Sequence, residues 1–185
     1  MADYDTPKTE PIVLGMGELY IGTVDNPESK TDEEIIPLLK NVGTIESGAE
    51  LQYSIDIQDV TGGNRNGVLA RIITNTDVQF TTGIMTWSLD NLAAVSPSTI
   101  TVDGTTGTKT VKFGDQKLPT NYLRFVHPKE DGGEIIVNIA KVQNTGGFTF
   151  SFSKEDPTVV ALEFHALRQN DGTLLEIIET FPVTP

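Results

Sequence analysis

Residues 50–58 read Glu50-Leu51-Gln52-Tyr53-Ser54-Ile55-Asp56-Ile57-Gln58. Leu51, Tyr53, Ile55 and Ile57 share one parity, and Glu50, Gln52, Ser54, Asp56 and Gln58 share the other. That is the period of a strand with one wet face. Thr61-Gly62-Gly63-Asn64-Arg65-Asn66-Gly67 follows, a glycine- and asparagine-rich tip suited to positive φ. The chain then returns through 68–82, a run rich in β-branched residues. As strands, 49–60 and 68–82 make a hairpin on the order of 40 Å long, about twice the usual strand length. A small monomeric sandwich has little use for such arms.

The flanking sequence is also β-like. Residues 1–11 are polar, hold Pro7 and Pro11, and read as an extended arm ahead of a single domain over 12–185. Residues 12–24 suggest short strands interrupted by Gly15 and Gly17. Residues 25–44 form an acidic connection in which 31–36 predicts a brief helical turn. Ser88 caps a helix over 88–95, with Leu89, Leu92 and Ala93 on one face and Pro97 just beyond its end. Further strands are expected at 99–103, 108–114, 121–127, 134–142, 147–153, 157–168 and 173–181, separated by turns such as Asp103-Gly104 and Asn170-Asp171-Gly172. The fold class expected is mainly β: a two-sheet antiparallel β-sandwich or barrel with one flanking α-helix and long extended loops.

Composition narrows the chemistry. The 185 residues carry 26 Asp+Glu against 13 Lys+Arg, a net charge of −13, and no cysteine. Disulfides, thiolate metal sites and cysteine nucleophiles are therefore excluded. With two histidines, one chain cannot build a multi-His metal centre. A pI near 4.4 opposes gripping nucleic acid, which requires cations that displace counterions from phosphates. It suits an acidic surface that DNA passes without sticking. No run of about 18 apolar residues occurs, and the N-terminus lacks the basic and apolar regions of a secretory signal. The expectation is a soluble intracellular product with no membrane binding.

Catalytic motifs are sought and not met. Gly15-Met16-Gly17 begins like a dinucleotide fingerprint but has no third glycine and no following helix. Nothing matches a phosphate-binding loop, a zinc-protease helix or a nucleophile elbow, and no cofactor or metal is expected. His127 precedes Pro128 at a strand end, while His165 and Glu163 share a strand face; both histidines read as structural or interface residues. Glu33-Glu34, Glu130-Asp131 and Glu155-Asp156 read as solvated turns rather than paired catalytic acids. Trp87, without an aromatic neighbour, reads as a plug at the sandwich end rather than a sugar platform.

The order of elements carries a resemblance. A short strand ends in Glu18-Leu19-Tyr20-Ile21-Gly22-Thr23, and an acidic loop follows. Val42-Gly43-Thr44-Ile45-Glu46-Ser47-Gly48-Ala49-Glu50-Leu51 leads into the long hairpin, and the helix lies mid-chain. The chain closes with Val160-Ala161-Leu162-Glu163-Phe164-His165-Ala166-Leu167, the Asn170-Asp171-Gly172 turn and Leu174-Leu175-Glu176-Ile177-Ile178. Over roughly 12–181 this resembles the major tail tube proteins of long, non-contractile-tailed bacteriophages. The resemblance implies a non-enzymatic virion protein, assembled in the bacterial host cytoplasm. Its hexameric rings would stack into a hollow tail tube that delivers the DNA genome. Implied partners are further copies of itself, a tape-measure protein, tail-tip and terminator proteins, and double-stranded DNA in transit. The C-terminal immunoglobulin-like decoration of many relatives is not expected here.

Six subunits giving four strands each would close a barrel of about 24 strands, wide enough for an aqueous channel. On that reading Gln52, Ser54, Asp56 and Gln58 face the lumen, while Leu51, Tyr53, Ile55 and Ile57 face the core. Arg71 and Lys141 are further lumen candidates whose charge would blunt an acidic channel. Contacts between subunits and rings are expected from Asp3, Tyr4 and Asp5 of the arm. Asp32, Glu33 and Glu34 of the loop, and Asn64, Arg65 and Asn66 of the tip, would join them. The alternatives are a related ring or tube component, such as a type VI secretion-like tube, a tail terminator or a capsid decoration protein, or else a carbohydrate-binding β-sandwich module.

Overall fold

The computed structural model describes residues 17–62, 67–86, 88–114, 117–130, 132–150 and 159–181. The arm residues Asp3, Tyr4 and Asp5, the tip residues Asn64, Arg65 and Asn66, and Trp87 lie outside these, as do residues 151–153 of the strand expected at 147–153; its described part, 147–150, makes a single bridge from Thr149 to Ala161 and no strand.

Among the described residues ten strands form in chain order: β1 (Glu18–Gly22), β2 (Lys40–Asn41), β3 (Ile45–Thr61), β4 (Val68–Ile84), β5 (Ser98–Asp103), β6 (Thr108–Phe113), β7 (Asn121–Pro128), β8 (Glu134–Asn144), β9 (Val160–Ala166) and β10 (Glu176–Glu179). The helices are α1 (Asp32–Ile35), a single turn, and α2 (Leu89–Val95). The fold is mainly β and antiparallel, as the sequence predicts, and most strand limits match to within two or three residues.

One sheet runs β2-β1-β7-β8-β9-β4-β3, and β5-β6 stands apart as a two-stranded ribbon. Strand β8 forks the large sheet. Residues 135–138 pair with β10 and residues 142–144 pair with β9, while β7 occupies the opposite edge. The sheet curls on itself. Phe80 of β4 and Phe125 of β7 lie three places apart in strand order, yet their ring centroids are 5.6 Å apart. In a flat sheet those strands would be about 14 Å apart. The two halves therefore face one another across a common core, consistent with a β-sandwich.

Alternation sets which side chains enter that core. In β4, Val78, Phe80, Thr82 and Ile84 are buried, with Asp77, Gln79, Thr81 and Gly83 between them. In β9, Val160, Leu162 and Phe164 point inward. Leu19, Leu123, Ile139 and Val142 complete the centre, each at most 1% exposed. Helix α2 closes one end with Leu92 and Val95. Its Ser88 accepts a hydrogen bond from the Asn91 backbone, as expected of a cap, and the Asn91 side chain donates to the Val42 carbonyl at 2.9 Å.

Candidate functional site

The long hairpin outruns the sheet that carries it. Strand β9 pairs with β4 only over Gln79–Ile84, and among the described residues β3 has no strand on its far edge. Beyond Gln79 the hairpin pairs with no further strand among the described residues, and at Tyr53 and Thr76 it borders Arg168 and the 172–175 turn across a shallow hollow. Cross-strand register sorts its side chains. Tyr53 opposes Val78, Ile55 opposes Thr76 and Ile57 opposes Ile73 on the side continuous with the core. Leu51, opposite Phe80, packs against the core as expected. Tyr53, Ile55 and Ile57 do not reach it: they are 57%, 44% and 53% exposed, because strand pairing with the body stops at Gln79. Ile73 is 60% exposed beside them.

The opposite face is polar. Gln52 opposes Gln79, Ser54 opposes Asp77, Asp56 opposes Asn75 and Gln58 opposes Ile72. The structure thus brings the four sequence-chosen residues together on one exposed face. That face continues onto β9, where His165 opposes Gln79 and Glu163 opposes Thr81, and onto β8, where Gln143 opposes His165.

A register shift between Asp56 and Ile57 alters the parity of β4. Thr74 is the unpaired residue, and its hydroxyl donates to the Asp56 carbonyl at 3.1 Å. Arg71 consequently opposes Asp59 on the apolar side, paired with it at 3.1 Å, rather than joining the polar face. Lys141 is held by Glu28 at 2.7 Å. Both cations considered for the lumen are therefore matched by acids of the same chain.

His165 sits between two carboxylates on the polar face. Glu163 lies 3.0 Å from Nε2 and Asp77 lies 3.2 Å from Nδ1. The bond to Glu163 raises the imidazole above its ordinary pKa, and Asp77 adds to the effect against partial burial. Because the carboxylates occupy opposite ring nitrogens, one metal ion cannot bind all three groups. No cluster of metal-ligating side chains occurs among the described residues. Neither nitrogen is left to take a proton from a nucleophile, which removes the triad geometry at this histidine. An open hollow of about 420 Å³ lies alongside, bordered by Glu50, Thr81, Gly146 and Glu163. Asp77 was not legible as a partner of His165, being 88 residues away. Its parity with Gln79 is the only signal, and it needs the register. His127 is buried, and its Nε2 has no hydrogen-bond partner among the described residues.

The acidic loop folds back on its own chain. Arg124 donates to Asp32 at 2.9 Å and to Asn138 at 3.3 Å. Glu34 accepts from the Thr31 backbone at 2.9 Å in a capping box, which holds its carboxyl below the usual range. Ile35 is buried beneath the turn. Glu28 accepts from Lys141 and from the Asn170 backbone and side chain. Of the three loop acids chosen for contacts with neighbours, Asp32 and Glu34 have intrachain roles and Glu33 stays exposed.

No family model matches the chain, and no curated protein matches it. Among solved structures, one similar chain comes from the "Virion of native gene transfer agent (GTA) particle". It has a TM-score of 0.45 and 11% identity, covering 86% of this chain and 95% of that one. Another comes from the "Tail of empty GTA particle computed with helical refinement, C6 symmetry". Its TM-score is 0.40 and its identity 8%, covering 90% of this chain and 96% of that one. Neither likeness assigns a role to a residue.

Proposed function

We propose that the chain is a structural subunit of a phage-like tail, whose copies join into rings that stack as a hollow tube. The observation that carries this is the ribbon: a 17-residue edge strand whose apolar side chains Ile55 and Ile57 stay about half exposed among the described residues. Two-stranded ribbons are marginal alone in water, and long open edges invite pairing with another chain. Neighbouring copies supply both needs. The polar face then lines the channel through Gln52, Ser54, Asp56 and Gln58, with Asp77 and Glu163 beside them. Fixed negative charge there repels phosphate, so double-stranded DNA slides without binding. Six copies per ring, partnership with tape-measure, tail-tip and terminator proteins, and a place in the virion tail after assembly in host cytoplasm all belong to this proposal. So does the absence of enzymatic activity.

Negative-stain electron microscopy of the purified chain at rising concentration tests it. The expected result is rings or hollow tubes. Asp56→Lys should leave them intact while impairing DNA delivery by particles that carry it. Protein that stays monomeric at every concentration, alone and with its tail partners, would overturn the reading.

A further inference from the structure

Among the described residues, His165 and Gln79 form the outermost pair of the β4–β9 ladder. The histidine ring reaches one step further. Its Nδ1 lies 3.2 Å from Asp77, two residues out along β4, on the stretch of ribbon beyond that ladder. Its Nε2 lies 3.0 Å from Glu163, which belongs to β9 and so to the body. The imidazole therefore ties ribbon to body at the point where strand pairing between them stops. On the other face of the ribbon lies an open hollow of about 330 Å³, with Tyr53 and Thr76 on one side and Arg168 and the 172–175 turn across from them. A tether on one face and free space on the other are the parts of a hinge.

We propose that His165 is a pH-sensitive clip at the root of the β3-β4 ribbon. Protonated, it holds Asp77 of the ribbon and Glu163 of the body together. On losing its proton it releases Asp77, and the ribbon tilts across the hollow toward the 172–175 turn. The clip is a property of the single chain and does not depend on whether copies assemble.

The chemistry of the ring supplies the switch. A protonated imidazole donates from both nitrogens, whereas the neutral ring keeps one N–H and presents a lone pair at the other. With a carboxylate at each nitrogen, the neutral ring must set that lone pair against an anion. The N–H stays at Nε2, because Glu163 is the nearer partner and lies on the same strand, so Asp77 is the group repelled. Those two carboxylates are the charged groups acting on the ring. From β8 the facing residue is the uncharged Gln143, and Lys141 further along that strand is engaged by Glu28. Glu50 of β3 opposes Thr81 on the same face and adds only negative charge. The bond to Glu163 first, and Asp77 after it, raise the imidazole above its ordinary 6.5 against partial burial, so release falls on the alkaline side of that value. A tilt carries every side chain beyond Gln79 with it, which couples the setting of the polar face to proton concentration.

The natural chain has no cysteine, so Gln58→Cys on the ribbon and Lys40→Cys on β2 place one spin label each at exposed positions. Double electron–electron resonance on dilute, unassembled chain then reads the distance from ribbon to body. Gln52 is the residue opposite Gln79, and Gln58 lies on the order of 20 Å further out, so a tilt of about 10° moves its label by about 3–4 Å. The distance distribution should be narrow at about pH 5.5 and should broaden or shift by that amount at about pH 9. Its midpoint should match the His165 titration followed by imidazole nitrogen chemical shifts. A partly exposed ion pair changes an equilibrium by roughly two- to five-fold, and the tilted population should grow by a factor of that size. His165→Gln and Asp77→Asn both retain the buried His127, and each should give one distribution at both pH values. An unchanged wild-type distribution, or a pH response that survives in either variant, overturns the clip and leaves the assembly reading standing.

Discussion

Replacing Ile57 by Asp separates assembly from folding. Ile57 is 53% exposed in the single chain, so its substitution removes little from the chain's own core. Its open half, on the order of 100 Å², is worth about 2.5 kcal/mol if a neighbouring copy covers it. That corresponds to roughly 70-fold in an association constant, and placing a carboxylate there adds a desolvation cost. The critical concentration for assembly, measured by sedimentation and light scattering, should therefore rise by at least that factor. The thermal midpoint of unassembled protein should stay within the range of surface substitutions, about 0.5 kcal/mol. Phe80→Ala is the contrast. Phe80 is 1% exposed and packs on Phe125, so its loss should cost about 3–5 kcal/mol of folding stability. An Ile57→Asp chain destabilised as severely as Phe80→Ala would refute the reasoning. So would an unchanged assembly threshold.

Three further outcomes follow from particular residues. The His165 pKa is raised by Glu163 first and Asp77 second, so its contribution is complete below the ordinary value of 6.5 and is lost as pH climbs through the raised one. The melting-temperature difference between wild type and His165→Gln should accordingly shrink above pH 6.5, and a difference that grew with pH would contradict the assignment. Glu28 is held below its ordinary 4.5 by Lys141 first and the Asn170 backbone next. Glu28→Gln should speed amide exchange at Asn170 near neutral pH, and this effect should fade as the pH falls through the Glu28 titration. Gly43 has φ +95°, and a side chain there would run into Thr86. Gly43→Ala should lower stability by about 1–3 kcal/mol in a denaturant titration, whereas Gly104→Ala, where φ is ordinary and the space is open, should be nearly neutral.

The sequence alone determined the strand periods, the turns between them, the capped helix at Ser88 and the division of the hairpin into polar and apolar parities. These are local properties: side-chain alternation, turn chemistry and capping act within a few residues. The shared face of Gln52, Ser54, Asp56 and Gln58 was readable for that reason, and so was the pairing of His165 with Glu163. Tertiary structure alone decided what covers each face. That Ile55 and Ile57 stay outside the core depends on where β9 stops pairing with β4, a contact between segments about 80 residues apart. The displacement of Arg71 to the apolar side depends on one unpaired residue, Thr74, which changes the parity of everything beyond it. The return of the acidic loop onto Arg124 and Lys141 depends on strand order, which sets β7 and β8 beside the β1 strand that the loop leaves. Alternation specifies two faces for every strand but cannot name the surface that packs on either, because that surface comes from distant parts of the chain or from another copy.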